Sequence, residues 1–137
     1  MTNTVLGTIT TIPLPQFDDE HGSIYPSIHI AVSTLDNCGK VADRSANKYL
    51  GWRCGKRIKL TIVDGIVKVT ETRRGRNAIA KGDYLRIPSE TRTCARINRG
   101  DRLLLIAIRE PRALLIYPSA QVFAAIRPSI SLVWQDR

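Results

Sequence analysis

The sequence lacks the features on which several common function classes depend. Its longest apolar runs, such as Leu103–Ile108, are far too short to cross a bilayer. The two histidines stand apart, and no Cys-x-x-Cys or His-Glu-x-x-His spacing occurs, so no metal site is expected. A phosphate-binding Gly-x-x-x-x-Gly-Lys loop and a nucleophile elbow are also missing. These absences predict a protein that is not an enzyme and that uses no cofactor.

Cysteine is scarce, and its three positions, Cys38, Cys54 and Cys94, are widely spaced. The first residues (MTNTVLGTITTIPLP) show neither a basic n-region nor a continuous apolar segment, so no signal peptide is expected. An odd number of cysteines without an export signal indicates reduced thiols and a cytoplasmic protein. Cys54 and Cys94 are expected to be small buried hydrophobic residues.

Acidic residues are few, and the positive charge is concentrated in the middle of the chain. The formal net charge is +9. Residues 1–32 contain three acidic residues and no Lys or Arg, whereas residues 33–110 carry eighteen Lys or Arg against eight Asp or Glu. A basic surface on folded structure points to a polyanionic partner, with nucleic acid first and acidic protein or anionic membrane second. A charge that serves only solubility is the alternative.

Two stretches of the chain resemble each other at a shift of 45 residues, which pairs Trp52 with Ile97 and Gly55 with Gly100. Each copy predicts a short strand, a short polar helix, an apolar residue that packs on the sheet, a Gly turn and a β-hairpin. The predicted divisions are an N-terminal β extension (1–32), a first repeat (33–72), a second repeat (73–118) and a C-terminal extension (119–137).

Local signals support each element of the repeat. Asp43 is placed to cap the first helix, and Pro88 to open the second. Asp64-Gly65 predicts a hairpin turn between two runs rich in branched aliphatic residues. The C-terminal extension predicts a short helix followed by a strand, and both flanks are expected to cover sheet edges or to contribute to assembly.

The motifs of the two copies resemble one known family. Copy two holds Leu85-Arg86-Ile87-Pro88, Ile97 and Gly100-Asp101; copy one holds Gly39-Lys40-Val41, Leu50-Gly51-Trp52 and Gly55. Over about residues 33–118 this pattern resembles the AbrB/MazE/SpoVT family. The resemblance implies a mostly β fold, a tandem swapped-hairpin AbrB-like β-barrel with short helices. It also implies self-association, either as a pseudo-dimer within the chain or as a homodimer.

The same resemblance implies a nucleoid-associated transcription regulator that contacts double-stranded DNA through a basic face of the barrel. When the family's DNA-contacting positions are matched one by one to this sequence, the resemblance implies DNA contacts by Lys40, Asn47, Lys48, Arg76 and Arg92. Charge alone adds Arg44, Arg73, Arg74, Arg86 and Arg96.

Two other functions are weighed against DNA binding. One is an antitoxin-like subunit that binds a partner protein, and the other is a small β-barrel that binds RNA. The short, apolar C-terminal extension differs from the flexible acidic tail typical of antitoxins in this family. The low aromatic content of 6% disfavours recognition of unpaired bases by stacking. Trp52 shares an apolar position with Ile97, so it is expected in the core and not at a base.

Overall fold

The computed structural model describes residues 27–135. Most of the predicted N-terminal β extension, including His21 and the acidic cluster, lies outside the described residues. The elements, in chain order, are β1 (Ile28–Thr34), α1 (Ser45–Leu50), β2 (Arg57–Val63), β3 (Ile66–Glu71), β4 (Asn77–Ala78), α2 (Ser89–Ala95), β5 (Arg102–Ile108), β6 (Ala113–Pro118) and α3 (Ser119–Gln135).

The protein is mostly β, with one six-stranded antiparallel sheet and three helices. The strand order is β1-β5-β6-β3-β2-β4. The prediction of a closed barrel is wrong for the described residues, because β1 and β4 lie at opposite edges of this sheet. Since β4 has only two residues, it offers too few backbone groups to pair with a further strand and close the sheet.

The two hairpins of the sheet each pair with a strand that is distant in the sequence. β1 precedes α1 but pairs with β5, in the hairpin that follows α2. β4 precedes α2 but pairs with β2, in the hairpin that follows α1. Matching backbone hydrogen bonds mark the two junctions: Gly100 N–H donates to Leu35, and Gly55 N–H donates to Ile79, each at 2.8 Å. Each hairpin is therefore extended by a strand that precedes the helix before the other hairpin.

Both short helices begin and end as their sequences predict. An Asp43 carboxylate oxygen accepts the backbone N–H of Ala46 at 3.0 Å, which satisfies one donor in the first turn of α1. Pro88 directly precedes α2. Each helix is followed by a left-handed residue, Gly51 with φ 74° and Arg96 with φ 58°. The left-handed turn directs the chain back to the sheet in both repeats.

Trp52 and Ile97 follow these turns and are buried, at 1% and 4% exposure, which confirms the predicted core positions. They join a core formed by the inner face of the sheet, where Ile58, Val69 and Leu105 are buried. The strands alternate between this inner face and an outer face, because successive side chains of a strand point to opposite sides.

The C-terminal extension is one helix of 17 residues, α3, so the prediction of a short helix followed by a strand is wrong. A strand needs a partner edge for its backbone groups, whereas a helix satisfies them within the segment. The branched residues after Pro128 therefore continue the helix despite their strand propensity. No helix within residues 27–135 is long and apolar enough to span a membrane.

Candidate nucleic-acid interface

The two repeats meet in a short antiparallel bridge between Lys40 and Arg86. The Val41 N–H donates to the Leu85 carbonyl at 2.9 Å, and the Ile87 N–H donates to the Gly39 carbonyl at 2.7 Å. Two cations from different repeats are thereby held side by side.

Gly39 is required at this bridge because its φ is +83° and a Cβ would lie 2.9 Å from the Ile87 carbonyl oxygen. Any larger residue would strain its own backbone and push the two strands apart. The glycine that precedes Lys40 in the sequence pattern therefore allows the close approach of the repeats.

Tyr84 connects the bridge to α1. The Lys40 ammonium lies 4.4 Å from the centre of the Tyr84 ring, and the Arg44 guanidinium lies 5.0 Å from it. Both distances are within the range of cation–π attraction. Arg44 also donates a hydrogen bond to the Gly82 carbonyl at 3.1 Å. The tyrosine thus holds two cations close together that would otherwise repel each other.

Two cavities adjoin this cluster. A cavity of about 550 Å³ is lined by Lys40 and Arg86 together with Arg76 and Lys81. A second cavity, of about 360 Å³, is lined by Arg44 with two further cations of the first repeat, Lys48 and Arg53. We call the resulting series of seven cations the basic strip. Its members are Arg76, Lys81, Arg86, Lys40, Arg44, Lys48 and Arg53.

Two carboxylates lie beside the basic strip, but each is bound to backbone. Asp36 accepts the N–H groups of Lys40 and Cys38 at 2.8 Å. The hydrogen bond from Lys40 is the main cause that lowers the pKa of Asp36 below 3.8, and the charges of Lys40 and Arg86 lower it further. Asp83 accepts the backbone N–H of Cys54 at 2.8 Å.

No cation of the basic strip forms an ion pair with another residue in the range 27–135. The ion pairs found there join Lys56 and Arg112 to Glu71, which lies outside the strip. Unpaired cations that are already close together favour binding of a polyanion, because the partner relieves their mutual repulsion.

The structure brings together five of the ten residues predicted to bind DNA. These five are Lys40, Arg44, Lys48, Arg76 and Arg86. Arg92 borders the strip, since its Nε donates to the Ile87 carbonyl at 2.9 Å. Arg96 lies with Arg92 around a separate cavity of about 490 Å³.

The other three predicted residues do not join the basic strip. Arg73 and Arg74 are exposed in the segment after β3 and line neither cavity of the strip. Asn47 is 2% exposed, and its amide donates to the Asp83 carbonyl at 2.9 Å. Asn47 is therefore removed from the candidate site: its side chain holds the turn that contains Asp83.

Sequence reasoning missed Lys81, Tyr84 and Arg53. Tyr84 belongs to no motif and to no run of charge, so nothing in the sequence marks it as a ring that Lys40 and Arg44 flank. Arg53 directly follows Trp52 in the sequence. Only the cavity that it lines with Arg44 and Lys48 shows that it belongs to the basic strip. The prediction that Cys54 and Cys94 are buried is wrong, because both are exposed.

We expect Asp83→Ala to destabilise the protein by about 1–3 kcal/mol, although the change removes a negative charge from a basic surface. Asp83 has φ 66°, a conformation that Asp and Asn tolerate better than Ala, and its carboxylate satisfies the Cys54 N–H. Thermal unfolding measures the effect. Asp83→Asn is the control, since an amide oxygen accepts the same bond, and it should melt close to the parent. An Asp83→Ala variant that melts with the parent contradicts this role.

The arrangement combines many cations with a single flanked aromatic ring, which suits contacts to phosphates more than stacking of several bases. Within residues 27–135, no group of three or more His, Cys, Asp and Glu side chains could hold a metal ion. The chain matches no family model, and no curated protein or solved structure is significantly similar to it. The case for a nucleic-acid interface therefore depends on the residues of this chain alone.

Proposed function

We propose that the protein binds double-stranded DNA through the basic strip and acts as a transcription regulator at the nucleoid. The observation that carries the proposal is the strip itself: seven cations from both repeats, converging without ion-pair partners among the described residues. Arginines donate paired hydrogen bonds to guanine edges, and lysines neutralise phosphates. The short helices are unsuited to lie along a major groove, so shape and phosphate contacts dominate recognition.

We also propose that the two hairpin units of this chain are swapped with each other within the same molecule, and that they form an open sheet and not a closed barrel. The support is the reciprocal pairing of β1 with β5 and of β4 with β2. One repeat alone is too small to bury its apolar face, so each hairpin packs with a strand of the other repeat.

Two alternatives fit less well. RNA and single strands are held largely by stacking on several exposed aromatic rings, and the strip contains only Tyr84 between Lys40 and Arg44. An antitoxin-like role requires a surface for a partner protein, and the exposed apolar helix α3 is the observation that favours one. That surface is separate from the basic strip and is considered below.

Binding measured by fluorescence anisotropy over a range of salt concentrations tests the proposal. We expect duplex DNA to bind more tightly than single-stranded DNA or RNA, with a slope of about −0.9 in log affinity against log salt for each phosphate neutralised. Lys81→Gln should reduce this slope by about one.

The matched control is Lys68→Gln. Lys68 lies between the buried Val67 and Val69 on β3, so it faces the outer side of the sheet, away from the core. This variant should keep the parent slope. A flat salt response of the parent, or equal affinity for all three nucleic acids, contradicts the proposal.

A further inference from the structure

The exposed large hydrophobic side chains of residues 27–135 are confined to two elements, β1 and α3. They are Ile30, Val32, Phe123, Ile126, Ile130, Leu132, Val133 and Trp134. The last three are the most exposed, at 71%, 71% and 79%. Single exposed apolar residues are ordinary on a protein surface, but eight on adjoining elements indicate an interface. We call this set the apolar patch.

The two parts of the apolar patch are joined by a groove. A cavity of about 290 Å³ lies between β1, β5 and the first half of α3. Its lining is mainly apolar, with Val32, Leu104, Phe123 and Ile126, and Arg102 is the charged residue among the lining side chains. The second half of α3 continues beyond this groove, and no α3 side chain is buried. The chain therefore presents an apolar helix beside an apolar groove.

The apolar patch and its groove carry few charges, Arg102 and Arg127, although the chain has a net charge of +9. β1 contains no Lys, Arg, Asp or Glu, and α3 contains Arg127 as its one charged residue. Helices that bind anionic membrane surfaces carry many Lys and Arg beside their apolar face. A basic protein would gain no ion pair here, and an acidic one could pair only with Arg102 and Arg127. The patch is thus matched best by a surface that is equally apolar and has few charges.

A second copy of the chain supplies such a surface. Two molecules with charge +9 repel each other across their basic surfaces, so close approach is least costly where both surfaces lack charge. A helix beside a groove is also self-complementary: across a two-fold axis, each helix can occupy the groove of the other molecule. At typical side-chain areas, the exposed parts of the eight residues amount to roughly 900 Å², comparable to the ~800 Å² per partner of a stable interface.

We propose that α3 and β1 form a two-fold interface between two copies of this chain. The interface lies outside the basic strip, so dimer formation and nucleic-acid binding use separate surfaces. Its existence does not depend on the proposed DNA-binding function, since the measurement below is made without nucleic acid.

The experiment is sedimentation equilibrium of the full chain from about 1 to 100 μM, a range in which an interface of this size associates. The test variant is Ile130→Glu/Val133→Glu. Both positions continue the helical stripe of Val122 and Ile126, and both are exposed, so the folded chain tolerates the charges. We expect the parent to dimerise and this variant to dissociate at least about 100-fold more readily.

The matched control is Ala124→Glu. Residue 124 is exposed and lies on the opposite side of α3 from the stripe of Val122 and Ile126, so it adds a charge to the same helix outside the contact. The control should dimerise like the parent. Melting temperatures should be equal for all three proteins at concentrations too low for the parent to associate, because dimer formation itself raises the melting temperature. A parent that is monomeric over the whole concentration range overturns the proposal. A monomeric parent that sediments together with added neutral lipid vesicles overturns it too, because the patch would then bind lipid. A double variant that dimerises like the parent overturns it as well.

Discussion

Replacing Trp52 by alanine is expected to destabilise the protein by about 3–5 kcal/mol, enough to unfold a marginally stable domain. The indole is 1% exposed and fills the centre of the core where the chain returns from α1 to the sheet. Its Nε1 also donates to a Glu71 carboxylate oxygen at 2.8 Å. The substitution thus leaves a large cavity and removes one of the partners of the Glu71 carboxylate, which keeps Lys56 and Arg112. Urea or thermal unfolding measures the loss.

Trp52→Phe separates the two effects, since it keeps most of the volume and removes only the donor. The hydrogen bond from Trp52 is the main cause that lowers the pKa of Glu71 below 4.5, with Lys56 and Arg112 contributing. A lowered folded-state pKa stabilises the protein above pH 4.5, and this contribution is lost as the pH falls through the folded-state pKa. The cost of Trp52→Phe should therefore shrink below pH 4.5. A stable Trp52→Ala variant that loses only nucleic-acid binding would make Trp52 a base-stacking residue.

Features that depend on a few neighbouring residues could be predicted from the sequence. Asp43 and Pro88 mark the starts of α1 and α2, because capping and the fixed φ of proline act within one turn. The burial of Trp52 and Ile97 follows from their equivalent places in the two repeats. The turn at Asp64-Gly65 likewise follows from residues that accept positive φ.

Features that depend on distant contacts could not be predicted. The bridge between Lys40 and Arg86 joins residues that are far apart in the sequence, and no local pattern specifies which strand pairs with which hairpin. Asn47 is expected on the exposed side of α1. Its amide instead donates a hydrogen bond to the distant Asp83 carbonyl, and the side chain is buried. The second half of α3 is helical although its branched residues favour a strand. Intrinsic propensity is a weak effect compared with the need of each backbone N–H and C=O group for a hydrogen-bond partner.

The largest effect on binding is expected from reversing the charge at the centre of the basic strip. In Lys40→Glu/Arg86→Glu, two cations that lie side by side become two anions, which lowers duplex affinity by more than about 100-fold at moderate salt. The bridge itself is made of backbone hydrogen bonds, so these exposed or half-buried side chains contribute little to folding. The variant should therefore still fold, with a loss of about 1 kcal/mol because two carboxylates face each other across the bridge and lie near Asp36.

The control for this variant is Lys59→Glu/Lys68→Glu, which changes the net charge by the same four units. Both lysines alternate with inward-facing residues of β2 and β3 and so lie on the outer face of the sheet. Because long-range attraction depends on total charge, the control should lose some affinity at low salt but recover the parent value as screening increases. The strip variant should remain weak, since its contacts to phosphates are direct. Equal losses for the two variants at every salt concentration would show that total charge, and not the basic strip, determines DNA binding.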